Sequence, residues 1–260
     1  MQRDGRRILF EGIVNCRDLG GIKNTEGAVV REGLLLRSAN LARATKKDIK
    51  ELSEEIRLSK IIDLRNSQEQ YELLDQEIPG AEHVDCPIFE DLAPGITHED
   101  NRPPFEKYPP MTVMYAEFVK NPLAAKNMAK AARMVMTHDF RKGPVLWHCF
   151  GGKDRCGMVA ALTLDVLGVS YEDILADYMM TNVTAAVSAA AEVEKVTARG
   201  GSQKEIDFVY QANIASEDYL NNAFKALDEN YGNGENFIKA LTGAPDEEFD
   251  RFRETALEWS

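Results

Sequence analysis

Cys149 and Arg155 stand with five residues between them in the run Pro144-Val-Leu-Trp-His-Cys-Phe-Gly-Gly-Lys-Asp-Arg-Cys-Gly157. A short apolar strand, a glycine-bearing turn and a helix beginning near Arg155 are the expected local structure. A cysteine at the end of such a strand lies over backbone N–H groups that have no intrahelical partner, where the helix dipole adds partial positive charge. That setting lowers a thiol pKa into a range of about 3.5–7.5, and the same cradle suits a phosphate dianion. Gly151 and Gly152 permit the left-handed turns that a nest of N–H groups needs. Arg155 brings a planar fork that fits two phosphate oxygens at once. One short loop thus offers a nucleophile and an anion clamp.

The run His-Cys-x-x-Gly-Lys-Asp-Arg-x-Gly at 148–157 resembles the signature loop of cysteine-dependent phosphatases. Among these it is most similar to the bacterial and fungal tyrosine-phosphatase-like family that carries both Lys and Asp in the loop. Asn15-Cys-Arg-Asp-Leu-Gly-Gly21, Leu36-Arg-Ser-Ala39, Ile62-Asp-Leu-Arg65 with Glu69, and Asp177-Tyr-Met-Met-Thr-Asn182 match further family segments in order. The matches run from about residue 10 to 185; beyond that only helical character is shared. The resemblance implies a metal- and cofactor-free phosphatase that hydrolyses phosphate monoesters through a phosphocysteine. Its expected partners are phosphotyrosine, phosphoserine or phosphothreonine proteins and phosphoinositides.

On this reading Cys149 is the nucleophile and Arg155 binds the phosphate and the pentavalent transition state. Phe150, Gly151, Gly152, Lys153, Cys156 and Gly157 complete the binding loop, with His148 orienting it. Asp154 becomes a general acid supplied by the loop itself; Asp18, Asp63 and Asp85 compete for that role. Lys153 adds a second positive charge, which in relatives accompanies tolerance for phosphoinositides. Arg17 and Asp18 bolster the loop or touch substrate. Asp63 is a supporting residue, and Asp63, Arg65 and Glu69 read equally well as a structural ion-pair set.

Two residues depart from the family pattern. Cys16 replaces an aromatic residue, a packing change. Cys156 stands where the family has Thr or Ser, whose hydroxyl assists release of the cysteine. A thiol is a weaker donor, so slowed turnover is one reading. The other is a resolving thiol that traps oxidised Cys149 as a disulfide, whose mark is a Cys149–Cys156 linked peptide after peroxide treatment. A phospho-binding protein without turnover is the runner-up function, and a sulfur or arsenate handler the third. An ATP-binding loop is excluded because Asp154 replaces the required Ser or Thr and Trp147 the earlier glycine. His148, Cys149 and Cys156 lack zinc spacing, and Arg155 among them repels a cation.

The chain of 260 residues carries a formal charge of −12 with 44% hydrophobic residues. That balance argues against nucleic-acid and anionic-membrane partners. No apolar run approaches 18 residues and no signal-peptide core follows the charged N-terminus, so no stable membrane insertion is expected. Four scattered cysteines are no disulfide framework. A reducing compartment, the cytoplasm, is expected, with export by a route lacking a signal peptide left open.

Strands are expected at 8–14, in an extended pair over 29–37, at 60–64, at 81–88 and at 144–148. Helices follow the capping boxes at Thr45 and Ser170, and one begins at Ser67 with Tyr71 and Leu74 on a shared face. Residues 111–137 read as a helix broken near Pro122, and 156–167 as a buried central helix ending at Gly168. The five prolines between Phe89 and Pro110 mark a long loop that flanks substrate or serves as a solvated connector. The alternation predicts an α/β fold, a mainly parallel sheet flanked by helices, in one domain over 1–260. Helices at 183–200, 205–214, 216–231, 235–242 and 246–258 complete it, with part of 171–213 either a lid or edge packing.

Overall fold

Strand β8 (Val145–His148) delivers Cys149, and its fully apolar start makes it a buried central strand. The computed structural model describes residues 2–89, 106 and 108–259. In it β8 lies between β5 (Leu35–Ser38) and β6 (Lys60–Asp63), parallel to both, with β7 (Glu82–Asp85) parallel beyond β6. Antiparallel β3 (Arg17–Asp18), β2 (Arg7–Ile8) and β1 (Arg3–Asp4) extend the β5 side, giving the order β1-β2-β3-β5-β8-β6-β7. The mainly parallel α/β arrangement expected from the sequence is present.

The two-residue period of the strands sorts their side chains between two cores. Leu35, Ile62, Val145 and Trp147 face the larger one. Leu36, Ile61 and Leu146 face a smaller one with Ile8, Ile13, Leu41, Leu52 and Leu58. His148 and Asp63 follow the second set, which puts both behind the catalytic loop rather than in its mouth.

Asn121 caps helix α4 (Pro122–Met136) by accepting from the N–H groups of Leu123 and Ala124, and α3 (Met111–Lys120) ends just before it. The break at Pro122 is therefore a helix start, where proline is pre-organised. Helix α5 (Asp154–Val166) has ten of its 13 residues buried, as its nearly continuous apolar sequence requires. Gly168, at φ 75°, turns the chain, and Ser170 caps α6 (Tyr171–Met179) through the N–H of Asp173. Helices α7 (Asn182–Ala198), α8 (Gln203–Asn213), α9 (Glu217–Tyr231), α10 (Gly234–Thr242) and α11 (Asp246–Ala256) follow.

Several expectations need correction. Residues 9–14 are irregular, and only Arg7–Ile8 pairs in the sheet. The Thr45 capping box is present with Asp48, a pair that stabilises its helix by about 1 kcal/mol. The helix α1 (Lys46–Lys50) it starts passes into a π-turn at Glu51–Glu55. Helix α2 (Ser67–Glu72) starts at Ser67 as expected, capped by Asn66 with Glu69. Tyr71 and Leu74 are 89% and 77% exposed, so their shared spacing reports no core face. The chain end is not helical: β9 (Leu257–Glu258) pairs with β4 (Val29–Val30) in a second, two-stranded sheet. Most of the proline-rich 89–110 loop lies outside the described residues. Among the described residues no helix is long and apolar enough to cross a membrane.

Candidate active site

Lys153, the residue before α5, offers no side-chain cap to that helix. None of the N–H groups of residues 150–155 donates a hydrogen bond among the described residues. A run of unsatisfied donors at a helix start, wrapped beneath a cysteine, is an anion-binding nest. Only Gly152 of the two loop glycines takes positive φ, at 68°. A Cβ on Gly152 would stand 2.6 Å from Ser38 and Ala39 backbone atoms, so close approach to β5 also demands glycine there.

The Cys149 thiol is pulled down to about 5, first by a hydrogen bond from the Cys156 thiol and, against the cost of burial, by the Arg155 charge and the Cys156 N–H. Burial and the adjacent thiolate push the Cys156 thiol well above its ordinary value, so it stays protonated. Its one S–H can also point at the carbonyls of Ser38 (3.6 Å) and Trp147 (3.8 Å). An anionic sulfur outcompetes those neutral acceptors. Cys156 therefore occupies the hydroxyl's place as a donor. Cys156→Ala is expected to raise the Cys149 pKa by roughly 1–2 pH units, the worth of a hydrogen bond to a charge, while Cys156→Ser keeps it low. The pH dependence of iodoacetamide alkylation reads this directly, and an unchanged midpoint in Cys156→Ala would refute it.

Arg155 donates two hydrogen bonds to Glu69, at 2.5 and 2.7 Å. Burial alone would raise Glu69, but the guanidinium outweighs it and holds the carboxyl below its usual range. Glu69 thus aligns the Arg155 fork from α2. Asp154 lies beside them, and both line a cavity of about 270 Å³ whose apolar wall includes Phe89, Met111, Met114 and Phe118. The competing acids sit elsewhere. Asp18 is buried, accepting from the N–H groups of Gly20 and Gly33. Asp63 is held by Arg65, and Asp85 accepts from Gln70 beside the pocket on the opposite side of the sheet edge.

Of the two roles expected of Arg17, loop support and substrate contact, its bonds give the first, while Asp18, the Lys153 ammonium and Gly157 are engaged elsewhere. Arg17 is buried, bonded to Asp177 and to the Asn15 side chain, whose amide donates to the Gly151 carbonyl. Asn15 takes left-handed φ of 55° to do this, a conformation its short polar side chain tolerates. Arg17 supports the loop from behind. Lys153 is only 5% exposed; its ammonium donates to the carbonyls of Ala212 (2.6 Å) and Ile214 (3.1 Å). The negative end of α8 attracts it, and the same ammonium lies 3.4 Å from Asp154 Oδ1. Gly157 faces the Tyr178 ring, where a Cβ would stand 3.0 Å from the ring edge. Phe150 is exposed at the loop tip.

Three supports had weaker signals in the sequence. Asp177 gathers Arg6 (2.7 Å), Arg17 (3.1 Å) and Arg37 (2.9 Å). Burial would raise its carboxyl, yet Arg17, Arg37 and Arg6 together depress it far below the usual range. Arg37 in turn donates to the Gly152 carbonyl at 2.8 Å. Asp75 bonds Arg65 at 2.5 Å and lies 3.2 Å from His148 Nε2, a contact without hydrogen-bond geometry. The Asp63–Arg65–Glu69 trio is therefore split between Asp75 and Arg155. Asp63, Asp75, His83 and His148 bring candidate ligand atoms within 4.8 Å of one another. Arg65 already bonds both carboxylates, so this is an ion-pair network before it is a metal site.

Residues 8–258 match the model of the Tyrosine phosphatase family. The chain belongs to that family. This tyrosine-phosphatase-family chain is an enzyme of the protein-tyrosine-phosphatase type, a phosphoric monoester hydrolase. It is 28% identical over 239 residues to a protein of Cupriavidus necator named as a candidate tyrosine-protein phosphatase, covering 89% of this chain and 82% of that one. It is 25% identical over 253 residues to the triple specificity protein phosphatase PtpB of Mycobacterium tuberculosis, covering 85% and 88%. The crystal structure of PTPMT1 with PI(5)P aligns at TM-score 0.39 and 14% identity over 81% of this chain and 94% of that one, too loosely to bear on substrate.

Proposed function

We propose that this phosphatase works in two steps through a phosphocysteine. Cys149 attacks phosphorus in line while Asp154 protonates the leaving oxygen; water then attacks the phosphocysteine with the same carboxylate as base. Arg155 and the loop N–H groups hold the phosphoryl oxygens, and Cys156 donates to the departing thiolate. The observation that carries this is a cysteine depressed to about 5 beneath a nest of free donors. An apolar-walled cavity beside Asp154 and Arg155 gives an aromatic or acyl-bearing leaving group a place to sit. The substrate range is broad: phosphotyrosine first, with phosphoserine, phosphothreonine and phosphoinositides accepted, as the triple-specificity name of the mycobacterial relative supports.

The test is phosphate release from phosphotyrosine, phosphoserine and phosphothreonine peptides and from each phosphoinositide, in the presence of a chelator. Acid-quenched digests should carry phosphate on the Cys149 peptide. Release without that adduct removes the covalent mechanism, and binding without release makes the chain a phospho-binding module.

The chain acts as one phosphatase unit in which the α7–α8 hairpin is a lid. Helix α8 has no buried residue and α7 only Ala189 and Val196, whereas α6 buries Ile174, Asp177 and Tyr178 in the body. The hairpin is held over the loop by Lys153 and by the Tyr108–Phe208 ring pair. Amide exchange across 182–213 should run much faster than in α5; core-like protection there would remove the lid.

A further inference from the structure

Asp154 has two carboxylate oxygens in different surroundings. Oδ1 accepts from the Tyr115 hydroxyl at 2.7 Å and lies 3.4 Å from the Lys153 ammonium. Oδ2 takes no hydrogen bond among the described residues. The Tyr115 oxygen is 2.6 Å from that of Tyr178, and both rings are buried. Since Tyr115 commits its proton to Asp154, its oxygen accepts from Tyr178, and both hydroxyls of the Tyr178–Tyr115 pair point towards Oδ1. Burial first, then the Asp154 charge, push the Tyr115 phenol well above its ordinary value, so it remains a donor throughout the working range.

We propose that Tyr115, backed by Tyr178, is the positioning residue that fixes Asp154 through Oδ1 and so presents Oδ2 as the proton-carrying oxygen. This rests on Asp154 being the general acid. In the first step the S–P bond forms, the P–O bond to the leaving group breaks, and the Oδ2 proton passes to the departing oxygen. In the second, Oδ2 takes a proton from the attacking water as the new O–P bond forms and the S–P bond breaks, regenerating the thiolate. Tyr115 neither gains nor loses a proton in either step. Without its hydroxyl the carboxyl is free to rotate about χ2, and a misplaced acid loses most where the leaving group is basic.

The experiment is kcat/KM for nitrophenyl, phenyl and alkyl phosphates, a series of rising leaving-group basicity, on wild type, Tyr115→Phe, Tyr178→Phe, Asp154→Asn and the Tyr115→Phe/Asp154→Asn double variant. Tyr115→Phe is expected to lose about 10- to 100-fold on the alkyl ester while staying within about 2-fold on the nitrophenyl ester. Tyr178→Phe, which leaves Tyr115 in place, should show a smaller loss of the same pattern and carries the test if Tyr115→Phe does not fold. The double variant should lose no more than Asp154→Asn alone. A uniform loss across the series in the tyrosine variants, with Asp154→Asn still selective, overturns the positioning role alone. A uniform loss in Asp154→Asn overturns the acid assignment and takes the positioning role with it.

Discussion

Replacing Cys149 with serine is expected to lower phosphate release by on the order of 10⁴- to 10⁶-fold, the scale seen when a covalent nucleophile is removed. The size follows from protonation. With its pKa near 5, Cys149 is a thiolate in all but roughly one molecule in a hundred at pH 7. A serine hydroxyl at that site is neutral and finds no base to activate it among the described residues. Asp154 Oδ1 is bonded to Tyr115, Glu69 is committed to Arg155, and His148 reaches Asp63 and Asp75 on the other face of the sheet. The nest of N–H groups and the Arg155 fork are untouched, so phosphate binding should persist while turnover disappears. Release by Cys149→Ser within about 10-fold of wild type would sink the covalent assignment.

Asp177→Ala is expected to destabilise the chain by about 3–5 kcal/mol, the cost of breaking a buried ion set from one side. Arg17 and Arg37 have side chains 1% and 0% exposed, and both depend on this one carboxylate for neutralisation. Removing it leaves two buried guanidinium groups facing each other. Urea unfolding monitored by tryptophan fluorescence measures the loss, and a change under about 1 kcal/mol would show that the arginines find other partners. The sign of the pH dependence is also determined. Asp177 is depressed on folding, so its contribution is fully present above its unfolded value near ~3.9. It is lost as pH falls below that value towards the depressed folded one. Activity should suffer along with stability, because Arg37 holds the Gly152 carbonyl and Arg17 reaches the Gly151 carbonyl through Asn15.

The sequence by itself determined the reacting loop. Cys149, Asp154 and Arg155 lie within seven consecutive residues between a strand and a helix. Local geometry alone puts a thiol over helix-start donors, so no distant contact was needed to read it. The same holds for the inner parallel strands β6 and β8, whose apolar residues announce burial on both faces, and for the helix start at Pro122. What reads wrongly is what depends on partners remote in the chain. Residue type puts the Lys153 ammonium beside the phosphate, yet it is shared between the carbonyl end of α8, some 60 residues on, and Asp154. Arg17 and Asp18 sit side by side in sequence, but alternation along β3 sends one to Asp177 and the other to backbone turns. Tyr71 and Leu74 keep helical spacing on a surface no other element covers.

Only the tertiary structure decided which groups support the loop. Asp177 was visible as part of a family-like segment, but its role requires Arg6, Arg17 and Arg37, three strand or turn residues well over a hundred positions away. Tyr115 is an ordinary aromatic in an amphipathic helix until the tertiary packing of α3 brings its hydroxyl to Tyr178 and Asp154. Cys156 looks like a loss of function beside the family's hydroxyl. Burial, which keeps its thiol protonated, makes it a donor to Cys149 instead. Residue type names the chemistry a side chain can do. Burial and the charge of its neighbours decide which protonation state it holds and where its proton points.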